Sequence, residues 1–430
     1  MAGGEPRRLT NAADGESWSR PRFTPDGRWL VALSDRANAG KVYVSTGLVS
    51  LPWGKDGADF SRRVQASAAL DRAVSSFVLA PDSREIWFTA EDEGGENVYA
   101  VALAGGAVRS VAAPARGVYT GLSVGKVRGA PLLAAYESAS APAETVRLDI
   151  AKGTHAALTT FNAAKLAELD LPPLEEFWFT SQRGARIHNF LVRPPGFDPA
   201  RKYPLFVMIH GGPHTMWRDQ FFLRWNYHLL ASRGIVILLT NYTGSTGFGE
   251  AFAQGIQGDP LIGPGLEVNE AATAALARFP FIDGTRQCAG GASYGGHLAN
   301  WLQASTTHYR CLVSHAGLVN LEAQWGTSDT IYGREVNMGG PHWDGGKGWQ
   351  EQNPIKYANR FRTPVLVTIG EQDFRVPLNN SLEYWSALQR MRVPSKLLVF
   401  PEENHWILKG ENSRFWYAEV QDWLAKYLLP

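Results

Sequence analysis

Residues 287–297 decide the fold, and they read Gln287-Cys288-Ala289-Gly290-Gly291-Ala292-Ser293-Tyr294-Gly295-Gly296-His297. The residues from Cys288 to Gly290 predict a short buried strand, and those from His297 onward have helical spacing. A serine between glycines at a strand-to-helix turn is typical of a nucleophile elbow, which lifts the hydroxyl above the edge of a parallel sheet. The pattern therefore makes Ser293 the first candidate catalytic residue.

The composition is that of an ordinary globular protein. The chain has 430 residues, of which 44% are hydrophobic and 19% charged, so it is long enough for two or three domains. Its 42 Lys and Arg residues balance 41 Asp and Glu residues, which gives no electrostatic footprint for nucleic acid or an anionic membrane. No apolar run is long enough to span a bilayer. We therefore expect neither a nucleic-acid nor a membrane partner.

The N-terminal residues 1–8 lack the apolar core of a signal peptide. The chain as written thus predicts a cytoplasmic location, or a periplasmic or secreted one if the natural N-terminus lies further upstream. The two cysteines, Cys288 and Cys311, each begin an apolar, strand-like run. We interpret them as buried free thiols, and a single disulfide remains the alternative.

Residues 1–165 predict an all-β domain with a degenerate repeat. The segment from Phe23 to Leu33 recurs as the segment from Val78 to Thr89, and each copy is a Pro-Asp turn followed by an alternating strand. A fainter third copy covers residues 121–135. About three such units indicate a partial β-propeller, with a β-sandwich as the alternative. An exposed propeller edge favours self-association into a homodimer.

Residues 166–430 alternate strands with helices, which predicts an α/β hydrolase domain with a doubly wound, mostly parallel sheet. A hairpin opens this domain at residues 176–192. Helical periodicity is clear around residues 268–279, 382–388 and 416–427. The predicted core strands are Leu205 to Ile209, Ile235 to Leu239, Cys288 to Gly290, Cys311 to Ser314, Val365 to Ile369 and Lys396 to Phe400.

Two further residues complete a candidate triad with Ser293. Asp373 follows the strand that ends at Ile369, and His405 follows the strand that ends at Phe400. Hydrolases of this fold place the nucleophile, acid and base in this order at strand ends. Glu371 is the alternative acid, and we interpret Glu403 as a solvated loop charge.

The oxyanion of acyl transfer needs backbone donors. We assign them to the N–H groups of Gly212, in His210-Gly211-Gly212-Pro213-His214, and of Tyr294. A metal site at His210 and His214 is disfavoured because Gly-Gly-Pro prevents the helix that would align them. The loop at residues 244–249 lacks the spacing of a dinucleotide cradle. We therefore expect no cofactor and no metal.

Several motifs together resemble the prolyl oligopeptidase family of serine peptidases. Within that family, residues 314–321 and 338–341 are similar to the acylaminoacyl-peptidase and bacterial dipeptidyl-peptidase V branch. The resemblance is close over about residues 185–430 and looser in the β domain, where family members carry a complete propeller. The motifs are His210-Gly211-Gly212-Pro213, residues 241–249, Gly291-Ala292-Ser293-Tyr294-Gly295-Gly296, Asp373-Phe374-Arg375-Val376-Pro377 and Glu403-Asn404-His405.

The resemblance implies the triad named above and a pocket for the substrate residue before the cleaved bond (P1). This pocket would be lined by Tyr294, Trp325, Tyr332 and Val376, with Arg375 near a substrate carbonyl. Aromatic lining favours an apolar P1 side chain. Ordinary packing is the alternative for Trp325 and Tyr332. The chain departs from the family at residues 258–260, where Gly258-Asp259-Pro260 replaces Asp-Trp-Gly.

We therefore expect a serine peptidase that releases dipeptides or acylated residues from short peptides. Two alternatives remain. The same triad serves a carboxylesterase or amidase, and a catalytically silent binding protein would use the fold without the chemistry. The sequence identifies no glutamate that would bind a substrate amine, so it does not choose between exopeptidase and endopeptidase action.

Overall fold

The computed structural model describes residues 5, 7–10, 15–36 and 40–430. Residues 1–4 and 6 of the N-terminal segment discussed above lie outside the described residues. The chain forms two compact units, the first made of residues 1–165 with the segments 218–220 and 246–251, and the second of the remaining residues. Within the part of the chain that the structure describes, no helix is long and apolar enough to cross a membrane.

The first unit is an all-β structure. Its strands are β1 (Glu16–Phe23), β2 (Trp29–Arg36), β3 (Gly47–Gly54), β4 (Gly57–Ala58), β5 (Val64–Gln65), β6 (Val74–Leu79), β7 (Glu85–Asp92), β8 (Gly95–Ala102), β9 (Arg109–Ala112), β10 (Val118–Val124), β11 (Leu132–Ser138), β12 (Ala141–Asp149) and β13 (Thr154–Ala157). Antiparallel pairs give three consecutive meanders, β1-β2-β3-β5, β6-β7-β8-β9 and β10-β11-β12-β13, while β4 extends β3 as a short hairpin. A short parallel pairing of β10 with β8 joins the second and third meanders into one eight-stranded sheet. Meanders of four strands are the units of a propeller.

The repeated Pro-Asp turns occupy equivalent places in the first two meanders, each between the first and second strand. The Asp26 carboxylate accepts the N–H of Arg28 at 3.1 Å, and the Asp82 carboxylate accepts the N–H of Arg84 at the same distance. An aspartate that accepts the N–H two residues ahead stabilises this kind of turn. The sequence repeat is therefore a repeat of turn chemistry.

The second meander is buried on both faces. Ile86 and Phe88 of β7 pack in one cluster with side chains of β2 and β3. Trp87, which points to the opposite face, packs in another cluster with side chains of β10 to β12. Successive side chains of a strand alternate between faces, so one strand contributes to two cores and the meanders stack face to face.

The short segment 218–220 belongs to the first unit through hydrogen bonds. The buried Asp219 carboxylate accepts the N–H of Gly117 at 2.9 Å and the N–H of Ala139 at 2.7 Å. Arg218 Nη1 pairs with Glu91 at 3.0 Å and with Glu96 at 2.5 Å. Burial raises the pKa of Glu96, against the pull of Arg218. One carboxylate thus satisfies backbone donors at the start of β10 and after β11.

The second unit is centred on an eight-stranded sheet. Its strands are β14 (Glu175–Thr180), β15 (Arg186–Val192), β16 (Tyr203–Ile209), β17 (Val236–Asn241), β18 (Ile282–Ala292), β19 (Cys311–His315), β20 (Val365–Gly370) and β21 (Ser395–Phe400). They lie in the order β14-β15-β17-β16-β18-β19-β20-β21. All pairs from β17 to β21 are parallel, and β15 runs antiparallel to its two neighbours.

Most of the helices lie between these strands, the last helix follows them, and two short segments precede them. The helices are α1 (Ala163–Leu166), α2 (Tyr227–Ala231), α3 (Glu250–Gln254), α4 (Ile262–Arg278), α5 (Tyr294–Ser305), α6 (Leu321–Thr327), α7 (Ile331–Met338), α8 (Lys347–Glu351), α9 (Leu378–Arg390) and α10 (Gly410–Leu428), with short 3₁₀ segments at Phe60–Arg62, His342–Asp344 and Pro354–Arg360. The parallel sheet and the all-β unit confirm the predicted fold class. Since all strands from β17 to β21 run the same way, their carboxyl ends share one edge.

The interpretation of the cysteines as free thiols is wrong in this structure. Cys288 and Cys311 lie opposite each other on the adjacent strands β18 and β19, and their sulfurs form a disulfide with a Cα–Cα distance of 4.8 Å. That Cα separation falls within the range that a disulfide spans. The apolar runs indicated that the two cysteines share a register, but the residues are bonded and not free.

Candidate active site

The candidate nucleophile lies at the junction of β18 and α5. Ser293 has φ of 59° and ψ of −120°, a backbone conformation that is costly for a residue with a Cβ atom. Its N–H donates to the carbonyl of His315 at 2.9 Å, and its carbonyl accepts the N–H of His297 at 2.9 Å to open the helix. The strained turn is therefore held from both sides.

The glycines around Ser293 serve close packing. A Cβ atom on Gly291 or on Gly295 would lie 2.2 Å from the carbonyl oxygen of Ile209, at the end of β16. That separation is far inside van der Waals contact, so only glycine lets the turn lie against the neighbouring strand. The motif thus requires glycine for approach as well as for turn shape.

The candidate acid and base meet directly. The Asp373 side chain is completely buried and its Oδ2 lies 2.7 Å from Nδ1 of His405, whose ring is 15% exposed. The other carboxylate oxygen accepts the N–H groups of Arg375 at 2.9 Å and Val376 at 2.8 Å. The loop after β20 therefore curls around the carboxylate and aims it at the imidazole. Glu371, the alternative acid, is exposed.

The loop that carries His405 is braced by Glu403. The carboxylate of Glu403 is buried and accepts the N–H groups of Leu408 and Lys409, each at 3.0 Å, and the amide of Asn412 at 2.8 Å. These bonds lower the pKa of Glu403 although burial opposes them. The interpretation of Glu403 as a solvated charge is therefore wrong, because this side chain caps the backbone that leads into α10.

The loop after β16 lies against the elbow. A Cβ atom on Gly211 would lie 3.4 Å from the Cβ of Ser293. Gly212 has φ of 105° and precedes Pro213 through a cis peptide bond. Tyr294 is the first residue of α5, so its N–H belongs to the first turn, where the helix itself offers no acceptor. Tyr294 thus directly follows the serine, and Gly212 follows the glycine that lies against it. The role of these two residues as oxyanion donors stays a prediction.

His210 is a packing residue. Its ring stacks on Tyr242 with centroids 4.2 Å apart, and its Nε2 lies 2.8 Å from Ser245 Oγ. Burial lowers the pKa of His210 to about 4. The imidazole also contacts the Gly-Gly-Pro turn, because its Nδ1 lies 2.7 Å from the carbonyl oxygen of Gly211.

The structure brings together two of the four predicted P1 pocket residues. Val376 is buried and packs in one cluster with the partly buried Trp325. The Trp325 indole N–H donates to Glu335 at 2.8 Å. By contrast, Tyr332 is 76% exposed on α7. The other members of the Val376 cluster are Leu318, Leu321, Met338 and Trp349.

Tyr294 and Arg375 have partners that the sequence did not reveal. The Tyr294 hydroxyl donates to the carbonyl of Pro260, so the unusual Gly-Asp-Pro loop is tied to the residue after the nucleophile. Arg375 forms an ion pair with Asp329, with Nε 2.6 Å from Oδ1. This pair holds the guanidinium predicted to meet a substrate carbonyl. The only sign of this ion pair in the sequence is the presence of an acidic residue, Asp329, in the segment after β19.

Comparisons with known proteins agree with this geometry. Residues 220–430 match the model of the prolyl oligopeptidase family. Dipeptidyl-peptidase 5 of Porphyromonas gingivalis is 30% identical over 414 residues, which are 95% of this chain and 59% of that protein. Dipeptidyl-peptidase 5 of Schizosaccharomyces pombe is 34% identical over 255 residues, 59% of this chain and 37% of that protein.

Solved structures show the same fold. An acylaminoacyl peptidase in complex with Z-Gly-Gly-Phe-chloromethyl ketone superimposes with a TM-score of 0.82 and 21% identity, covering 94% of this chain and 62% of that one. The chain thus spans less than two thirds of the length of each of these relatives.

A serine elbow on a doubly wound sheet, with an acid–imidazole pair at the same edge, is the arrangement of the α/β hydrolase fold. The family match and the relatives then narrow the group. Residues 220–430 therefore form a domain of the prolyl oligopeptidase family.

Proposed function

We propose that the protein is a serine peptidase that releases dipeptides or acylated residues from short peptides with an apolar P1 residue. One observation carries this proposal: Nδ1 of His405 lies 2.7 Å from the buried Asp373 carboxylate. Asp373 follows β20 and His405 follows β21, at the sheet edge where Ser293 follows β18. An oriented imidazole at the same sheet edge as a serine elbow is the arrangement that activates a hydroxyl.

The reaction follows from these positions. The Ser293 hydroxyl attacks the scissile carbonyl while Nε2 of His405 takes its proton, and Asp373 fixes the imidazole through Nδ1. The N–H groups of Gly212 and Tyr294 stabilise the oxyanion. The carbon–nitrogen bond then breaks, the amine leaves with the proton from His405, and the acyl group stays on Ser293 as an ester. Water, deprotonated by His405, hydrolyses that ester.

The apolar P1 preference is supported by the cluster around Val376 and Trp325, which joins the base of Asp373's loop to α6. An apolar wall stabilises an apolar side chain by the area removed from water. The acylaminoacyl peptidase with a similar fold carries a ligand with phenylalanine next to the chloromethyl ketone, and we extend that preference to this chain.

The action on dipeptides or acylated residues is supported by the names of the relatives, dipeptidyl-peptidase 5 and acylaminoacyl peptidase. Profiling a peptide library with free and blocked N-termini by mass spectrometry separates the possibilities. Products that are two residues shorter, from free N-termini alone, would support dipeptidyl-peptidase action. Cleavage of blocked peptides alone would support release of acylated residues.

The catalytic proposal is tested with Ser293→Ala and a fluorophosphonate probe. We expect labelling of the native protein at Ser293, and a loss of kcat on the order of 10⁶-fold in the variant. Turnover of chromogenic esters without turnover of peptide amides would indicate a carboxylesterase. A native protein that neither reacts with the probe nor cleaves either substrate would be a binding protein, and the proposal would be rejected.

A further inference from the structure

His315 lies between the elbow and the acid–base pair. It is the last residue of β19 and is 2% exposed. It pairs in register with Ala292 on one side and with Thr368 on the other. Its backbone carbonyl accepts the N–H of Ser293 at 2.9 Å. The main chain of His315 therefore fixes the position of the strained turn at Ser293 relative to β19.

The ring of His315 contacts β20. Nδ1 lies 2.8 Å from the hydroxyl of Thr368, and the same hydroxyl accepts the indole N–H of Trp416 at 3.1 Å. An indole N–H can only donate, so the threonine oxygen accepts from Trp416 and has its own proton to give to His315.

The imidazole of His315 is neutral at neutral pH, because burial lowers its pKa to about 4. A neutral imidazole has one nitrogen that accepts a hydrogen bond and one that donates. Since the Thr368 hydroxyl has its proton to give, we assign Nδ1 of His315 as the acceptor. The bonds from Trp416 through Thr368 to His315 then run in a single direction.

Aromatic side chains prevent the ring from turning away. Trp225 and Trp416 lie with ring centroids 6.4 Å and 5.9 Å from that of His315. Beside them, the guanidinium of Arg224 stacks 3.7 Å from the ring centroid of Trp406, the residue after His405. The ionisable groups that act on the His315 ring are His405, Asp373 and Arg224.

We propose that His315 is a positioning residue that holds the nucleophile in register with the strand that leads to the catalytic acid, its carbonyl fixing Ser293 and its ring fixing Thr368 of β20. The inference rests on the proposed triad. The side chain makes no contact with substrate in this role. It acts on the distance between two reacting groups, where a misplacement of about 1 Å costs roughly 100-fold in rate.

The first test compares His315→Leu with His315→Gln. Leucine removes the hydrogen bond of the ring with Thr368, whereas the glutamine amide retains an oxygen that can accept from the Thr368 hydroxyl. We expect kcat to fall roughly 10- to 100-fold in the leucine variant with KM changed less than about threefold. The glutamine variant should recover most of kcat, and the rate of fluorophosphonate labelling should follow the same order. Equal kcat in the two variants, with both folded by circular dichroism, would overturn the inference.

The second test uses Thr368, which remains informative if the leucine variant does not fold. Thr368→Val removes the hydroxyl at nearly constant shape, and Thr368→Ser retains it as the matched control. We expect kcat of the valine variant to be roughly 5- to 10-fold below that of the serine variant, with equal KM. Equal kcat would contradict the directed chain of bonds.

Native protein separates this inference from the proposed function. If the fluorophosphonate does not label native Ser293, the catalytic proposal is rejected, and the positioning role that rests on it is rejected with it. If the native protein is labelled and the His315→Leu variant is labelled at the same rate, the catalytic proposal stands and the positioning role is rejected.

Discussion

The Asp373 carboxylate divides its two oxygens between two tasks. Oδ2 meets Nδ1 of His405 at 2.7 Å, and Oδ1 accepts the N–H groups of Arg375 and Val376. The same side chain therefore orients the imidazole and closes the loop that leads to the apolar cluster around Val376. The candidate acid and the candidate P1 wall are therefore joined through one carboxylate.

Replacing Asp373 with asparagine should reduce kcat by roughly 10⁴-fold, because the amide would favour the wrong tautomer of His405. Steady-state kinetics on a peptide amide would measure this. Glu371→Gln is the matched control, since Glu371 is exposed two residues earlier in the same loop, and its kcat should stay within about twofold. A larger loss in the Glu371 variant than in the Asp373 variant would exchange their roles.

Gly295→Ala should lower the free energy of unfolding by about 2 to 3 kcal/mol, because the added methyl must displace backbone. The new Cβ would lie 2.2 Å from the Ile209 carbonyl oxygen. Gly410→Ala is the control, since a Cβ there meets no atom within 4 Å. Urea denaturation gives both values. A Gly295 variant as stable as the Gly410 variant would mean that the elbow does not pack as described.

Trp325→Ala should narrow the difference in kcat/KM between substrates with phenylalanine and alanine at P1 by roughly tenfold. The reason is that the indole forms one side of the apolar cluster with Val376. Phe161→Ala, at an 83% exposed ring of the first unit, serves as the control and should leave the ratio unchanged. An unchanged ratio in the Trp325 variant would place the P1 side chain elsewhere.

The unfolded, unreduced protein should show no free thiol, because Cys288 and Cys311 are joined. Thiol titration in denaturant measures this, and two titratable groups would contradict it. The bridge closes a loop over a sequence separation of 23 residues. Its reduction should therefore lower the free energy of unfolding by about 3 kcal/mol.

The protein should lose stability as the pH falls from neutral toward 4. Burial lowers the pKa of both His210 and His315 to about 4, whereas histidine in an unfolded chain titrates near 6.5. Between these values the unfolded state binds protons that the folded state does not, so the free energy of unfolding falls with falling pH. Each ring accounts for a loss of roughly 3 kcal/mol, complete below about pH 4.

Urea denaturation at several pH values between 7 and 4.5 checks this dependence. His210→Gln removes one of the rings whose pKa burial lowers, so the stability of the variant should change less steeply over that range. An identical slope in the variant and the native protein would mean that His210 binds its proton in the folded state.

The sequence predicted the strands well because they are continuous apolar runs between polar turns. Position at the end of a strand then predicted Asp373 and His405 without coordinates. The choice between Asp373 and Glu371 is set by the curl of the loop, whose N–H groups reach one carboxylate only. No pattern in the sequence encodes that curl.

Other features depend on neighbours that are distant in sequence. In the sequence Glu403 has the pattern of a surface charge, but in the structure the backbone that leads into α10 donates to its carboxylate. The disulfide required the exact register of β18 against β19, which apolar runs define only to within a residue or two. The family resemblance groups Tyr332 with Trp325, yet Tyr332 is 76% exposed on α7. Similarity of motifs does not fix which side of a helix a residue occupies.

The segment 218–220 has a consequence for how the first unit can be isolated. The Asp219 carboxylate supplies the acceptors for Gly117 and Ala139, although it lies more than fifty residues beyond the last strand of that unit. A recombinant fragment that ends at residue 165 would lack Asp219, so the N–H groups of Gly117 and Ala139 would lose their acceptor. A protease cut after residue 165 would break the covalent link between Asp219 and these donors. The three meanders are thus contiguous in sequence, but a fragment meant to fold on its own has to include the later segment 218–220.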